Sequence, residues 1–148
     1  LSYCIKLPDG ANAFDAICIH PYTHPYAPEP ALERDIAAGR SYVCLAGDHI
    51  AGTFFFTEGP DPTYEAIDGA WQNDSPYAVV HRIAADGSTK GVGTFCRDWA
   101  YKKAGHLRID THGDNRPMQN LLQKLGFVCC GIIHVEEDDD PRLAFEKK

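Results

Sequence analysis

Ser88-Thr89-Lys90-Gly91-Val92-Gly93-Thr94 lies between an apolar run, Tyr77-Ala78-Val79-Val80, and a helix-like segment that starts near Phe95. Two glycines at this spacing occur in many turns, so the stretch alone fits either a turn or a phosphate cradle. The flanks distinguish them. A strand, a glycine turn and a helix start bring first-turn N–H groups and a partial positive charge to one point, which suits an anion without any metal or basic side chain. The stretch lacks the GxxxxGK[ST] spacing of a Walker loop, and it lacks the third glycine of a G-x-G-x-x-G dinucleotide loop.

Downstream of the loop, Phe95 to Ala104 reads as a helix carrying Phe95 and Trp99 and stopped at Gly105. Leu107 to Thr111 is a short strand, with Leu107, Ile109 and Thr111 on one face and Arg108 and Asp110 on the other. Asn115 to Leu125 is a helix: Pro117 suits its first turn, and Met118, Leu121, Leu122 and Leu125 form one apolar stripe before Gly126. Phe127 to Val135 and Leu143 to Phe145 are the last strands, joined across the acidic run Glu136-Glu137-Asp138-Asp139-Asp140.

Upstream, Tyr77 to Ala85 is a strand, and Ser41 to Ala46 with Ile50 to Phe56 form a hairpin around Gly47-Asp48-His49. Gly59 to Asp74, with Tyr64 and Trp71, reads as an irregular excursion. Asn12 to His20 and Glu29 to Ala38 are expected helices on either side of a loop with Pro21, Pro25, Pro28 and Pro30. The predicted class is α+β (mixed α/β), one domain over 1–148. Its expected form is a central, mostly antiparallel sheet with one parallel strand pair, flanked by helices. An all-parallel, flavodoxin-like sheet is opposed by the hairpin.

Composition narrows the functions. At 148 residues, 44% hydrophobic and 24% charged, the chain has the balance of an ordinary globular domain. A net charge of −7 with scattered lysines and arginines disfavours nucleic acid but not an amine. The acidic run would attract such a substrate or would simply be a solvated loop. No apolar stretch approaches the roughly 18 residues of a membrane span, and no basic start precedes an apolar core, so a cytoplasmic location is expected. The chain begins at Leu1 rather than Met, which leaves room for residues before it.

Six cysteines without a CxxC pair read as free, mostly buried thiols in a reducing compartment. Cys129 and Cys130 are adjacent in a strand and point to opposite faces. His20 and His24 have the spacing of a helical ligand pair, but Pro21 and Pro25 forbid a regular helix, so no metal is expected.

Strand, "STKGVGT", helix, "LRIDTHGDN", helix "RPMQNLLQKL" and "GF" together resemble the GCN5-related N-acetyltransferase (GNAT) family over about residues 41 to 147. The family loop Q/R-x-x-G-x-G/A falls on Ser88, Gly91 and Gly93. Asn115, with Gly126 and Phe127 eleven and twelve residues later, matches the family's asparagine and closing Gly-Phe. The resemblance implies a parallel pair splayed around coenzyme A, which would lie between the ends of strands 77 to 85 and 107 to 111. Backbone of Ile83 and Ala85 would pair with the pantetheine arm, the N–H groups of Ser88, Thr89, Lys90, Gly91, Val92, Gly93 and Thr94 would hold the pyrophosphate, and Asn115 would face the cofactor. Ser88 replaces the usual Arg or Gln, unless the register places Lys90 there. Leu122 stands where many members carry a tyrosine that protonates the departing thiolate.

The chemistry implied is acetyl transfer from acetyl-CoA to a primary amine of a small molecule or peptide, by direct attack in a ternary complex. An alkyl ammonium must lose a proton before it attacks, so a base or a desolvating pocket is needed. A strand N–H near Ile83 would stabilise the oxyanion. His81, two residues before Ile83 and expected on the same face, and His112, at the end of the second splayed strand with Asp110, are candidate bases. His81 would otherwise be a hydrogen-bonded core residue, and Asp110 with His112 would otherwise cap a turn. Tyr64 and Trp71 are candidates to line the acceptor pocket, or else pack beneath the long loop. A homodimer is compatible with the family. The competing class is a non-catalytic acyl-CoA-binding or sensor module.

Overall fold

The structure, a computed structural model, describes residues 3–6, 34–135 and 140–148. The expected helix over 12–20 and the proline loop lie outside the described residues, as does the start of the helix expected at 29–38. The elements in chain order are β1 (Tyr3–Lys6), β2 (Ser41–Ala46), β3 (His49–Glu58), β4 (Asp68–Gly69), β5 (Ala78–Ala85), α1 (Val92–Ala104), β6 (Leu107–His112), α2 (Arg116–Lys124), β7 (Val128–His134) and β8 (Pro141–Lys147). A helical turn at 34–37 precedes β2, and a short 3-10 turn, Pro62–Tyr64, precedes β4. The chain divides into two compact units, Leu1–Thr57 with Val80–Ala100, and Glu58–Val79 with Tyr101–Lys148.

In the first unit the strand order is β1-β2-β3-β5. The predicted hairpin is β2 and β3, antiparallel, with Ala46 opposite His49 across the Gly47-Asp48 turn. Three consecutive phenylalanines in β3 cover both faces, because side chains alternate along a strand. Phe54 and Phe56 meet Trp99 of α1 at ring-centroid distances of 5.8 and 5.4 Å, while Phe55 is also buried on the opposite face. Burying each such ring contributes about 1.5–3 kcal/mol. Gly52 permits this packing: a Cβ there would lie 2.7 Å from Val92 Cγ1 and 2.8 Å from the carbonyl oxygen of Ala84. β1 pairs parallel with β2, a strand that "LSYCIKL" barely announces and a second parallel ladder at the sheet edge.

In the second unit the order is β5-β6-β8-β7-β4, β5 entering through Ala78 and Val79. The expected parallel pair is β5 with β6, a ladder of Ala78↔Leu107 and Val79↔Arg108. The other ladders, β6–β8, β7–β8 and β4–β7, are antiparallel. The sheet is therefore mixed and mostly antiparallel, as predicted. α2 buries Met118, Leu121 and Leu122 of the expected stripe, whereas the fourth member, Leu125, is the half-buried residue that caps the helix end, and Lys124 is exposed. β4 is a correction to the irregular excursion over 59–74: Asp68 and Gly69 pair with Ile132 and Gly131 of β7.

A buried charged network lies on the face of β6 that was expected to be merely polar. Glu146 Oε1 accepts from Arg108 Nε at 3.1 Å and lies 2.7 Å from His106 Nε2; all three residues are at most 6% exposed. Arg108 sits over the rings of Trp71 and Tyr77, 4.2 and 4.0 Å from their centroids. The N–H of Gln72 donates to Glu146 Oε2, Arg108 Nη2 donates to the Asn73 carbonyl, and Ser75 Oγ lies 3.1 Å from His106 Nδ1. Three side chains thus pin the 72–75 segment to the sheet.

Candidate functional site

The glycine loop begins where β5 ends. Asp86 N–H donates to the Ala51 carbonyl, so the loop is tied to β3, and Ser88 N–H donates to Asp86 Oδ1 at 2.9 Å in an Asx turn. Gly91 is buried with φ 78°, a left-handed conformation that side-chain-bearing residues rarely adopt. The chain then enters α1 directly: Phe95 N–H donates to the Gly91 carbonyl as the first helical bond. The helix therefore starts at Val92 instead of the expected Phe95, and Val92 and Gly93 form its first turn. The N–H groups of Val92, Gly93 and Thr94 precede the first helical donor and carry the positive end of the helix dipole. No acidic residue stands in that turn.

Asp86 is ionised through most of the pH scale. Its carboxyl is lowered to about 2, chiefly by the Ser88 hydroxyl, then by the Ser88 N–H and by His49. Ser88, Thr89 and Lys90 lie at the surface of the loop or half-buried in it, whereas Gly91, Val92 and Gly93 are buried.

Asn115 stands at the start of α2. Its Oδ1 accepts from Met118 N–H at 3.2 Å, which caps the helix. Asn115 is 9% exposed, and its Nδ2 is buried without an acceptor among the described residues. A buried amide N–H of this kind fits a ligand that brings an acceptor.

The predicted shared face of His81 and Ile83 is overturned. Arg82 between them has φ 52°, which breaks the strand's alternation. The His81 ring packs on Phe55 at 5.7 Å, whereas Ile83 Cγ2 comes within 3.9 Å of where a Cβ on Gly93 of α1 would stand. Trp99 of α1 contacts Phe54 and Phe56, the neighbours of Phe55 on the other face, so His81 and Ile83 lie on opposite faces of the sheet. Arg82 sits over the Phe55 ring at 5.1 Å and is ion-paired to Asp35.

His112 ends β6 half-buried, and its carbonyl accepts from Asn115 N–H and from Gln119 Nε2. Asp110 accepts from the Tyr64 hydroxyl at 2.7 Å and from Arg142 Nη1 at 3.5 Å. Tyr64 is only 1% exposed, and burial with the adjacent Asp110 charge raises its hydroxyl well above the usual tyrosine range. Its ring packs on Trp71 and Tyr77, at centroid distances of 5.5 and 6.4 Å. Trp71 is half-buried and donates its Nε1–H to the Tyr64 carbonyl.

A solved GNAT-family acetyltransferase from Streptococcus agalactiae matches this chain at 31% identity, over 84% of this chain and 74% of that one, with a TM-score of 0.71. The chain belongs to the GCN5-related N-acetyltransferase family. Family acetyltransferases from Bacillus cereus and Listeria monocytogenes share the fold at 17% and 16% identity, with TM-scores of 0.58 and 0.60, over 80% and 78% of this GNAT chain and 77% and 68% of theirs. No family model and no curated protein matches it.

Two features of this GNAT were missed in the sequence. Asp86-Gly87-Ser88 is a turn signal in itself, but nothing near it points to His49, which the hairpin delivers from 37 residues away. The His106–Arg108–Glu146 network is likewise formed by pairing of β6 with β8. Among the described residues no helix is long and apolar enough to cross a membrane, and no group of metal-ligating side chains gathers.

Proposed function

We propose that this GNAT transfers acetyl from acetyl-CoA to a primary amine of a small molecule or peptide, by direct attack of the amine in a ternary complex. The observation that carries the reading is the start of α1, where Gly91 turns the chain left-handed and the first-turn N–H groups follow at once. A helix start without acidic side chains suits a pyrophosphate. Acetyl-CoA supplies an acetyl group activated as a thioester. The backbone of Ser88 to Thr94 would bind its phosphates, the backbone of Ile83 and Ala85 its pantetheine arm, and Asn115 Nδ2 an acceptor atom.

His81 is the candidate base that takes the ammonium proton, with His112 as the second candidate; an imidazole does this at neutral pH. Leu122, fully buried, offers no proton donor where many family members carry a tyrosine. That substitution, with Ser88 in place of a long polar side chain, favours a second reading as an acyl-CoA sensor.

Mixing the protein with acetyl-CoA and a panel of amines, and following free thiol, tests the reading. Amine-dependent thiol release supports the transferase. CoA binding without such release would leave the sensor, and failure to bind CoA would overturn both.

A further inference from the structure

Asp86 brings a full negative charge to a loop proposed to hold phosphates, and the structure places His49 against it. His49 opens β3 directly after the Gly47-Asp48 turn, and its Nε2 lies 2.5 Å from Asp86 Oδ2 and 3.1 Å from Ser88 Oγ. The Ser88 hydroxyl in turn donates to Asp86 Oδ1 at 2.6 Å. One imidazole thus ties the hairpin to two polar side chains of the loop, Asp86 and Ser88. The His49 side chain is 57% exposed, at the rim of the loop. The other charged groups on these segments are Asp48, beside it in the turn, and Lys90, further along the loop, both exposed.

We propose that His49 is a positioning residue of the cradle, acting through Asp86 and Ser88, and that it makes cofactor affinity depend on pH. Protonated, it cancels the Asp86 charge and holds the 86–88 turn. Neutral, it leaves the carboxylate uncompensated beside the bound phosphates. Affinity therefore falls as the pH rises through the range in which a histidine loses its proton. This inference rests on the acetyl-CoA reading above.

Dephospho-CoA is the probe of choice, because intact CoA carries a phosphomonoester that itself titrates near pH 6. Its dissociation constant, measured calorimetrically, is expected to rise about fivefold in the wild type from about pH 5 to about pH 8. His49→Gln is expected to be flat at the weak value and His49→Lys flat at the tight value. Asp86→Asn, which keeps the Asx acceptor without its charge, is expected to bind more tightly than wild type at the higher pH. A flat wild-type profile, or His49→Gln with the wild-type slope, would overturn the proposal, as would equal loss at both pH values in both histidine variants. If the wild type binds neither dephospho-CoA nor CoA, the cofactor reading falls and this inference falls with it.

Discussion

The His81 ring packs on Phe55 at a centroid distance of 5.7 Å, on the face of the sheet opposite to the one on which Phe54 and Phe56 meet Trp99 of α1. His81→Gln is therefore expected to leave the α1 packing and CoA affinity intact while lowering amine-dependent turnover about a hundredfold. Steady-state thiol release beside calorimetric CoA binding separates the two effects. Turnover equal to wild type would transfer the role of base to His112.

Gly91 is held at φ 78°, so any side chain there carries backbone strain of about 1–2 kcal/mol, and a β-branched one more. Gly91→Val is expected to abolish CoA binding; circular dichroism would show whether the fold persists. Ser88→Arg is expected to bind CoA as well as wild type or better, because Ser88 is exposed and the new cation would stand beside a loop proposed to hold phosphates. Equal CoA affinity in wild type and Gly91→Val would remove the cradle.

Asn115 has separable duties. Its Oδ1 caps α2, and its Nδ2 is the buried donor without an acceptor among the described residues. Asn115→Asp keeps the cap and loses the donor, so urea unfolding should stay within about 0.5 kcal/mol of wild type while CoA affinity drops about tenfold. Asn115→Ala should lose about 1 kcal/mol of stability as well. If Asn115→Asp binds CoA like the wild type, the amide has no part in holding it.

Glu146 is 2% exposed between His106 and Arg108. Glu146→Ala leaves the Arg108 charge buried without its carboxylate and should cost about 3–5 kcal/mol in urea unfolding. Burial raises the Glu146 carboxyl, but the bonds from His106, the Gln72 N–H and Arg108 outweigh it, and the net shift is down from 4.5. Since the folded value lies below the unfolded one, the stabilisation is present above about pH 4.5 and is lost as the pH falls through the lowered value. Wild-type stability should decline below that pH, and the decline should be shallower in Glu146→Gln.

Local pattern made much of this fold legible. The Met118, Leu121 and Leu122 stripe, the helix start at Asn115, the Gly47-Asp48 hairpin and the Gly91 turn depend on residues within a few positions of one another. Sequence spacing displays such relations directly. The excursion over 59–74 was less legible, because β4 is two residues long and pairs only where Gly69 and Gly131 let the backbones meet.

The sequence by itself determined the α+β class, the glycine turn that opens α1, the helix stripes and the family, all written in short-range order. Tertiary structure alone decided which face His81 occupies, since the left-handed Arg82 shifts the phase of β5 without any glycine to announce it. It also decided that His49 meets Asp86 and Ser88, and that Glu146 neutralises Arg108 and holds His106. Those partners are 37 to 40 residues apart, and strand pairing, not spacing, brings their charges within hydrogen-bond reach.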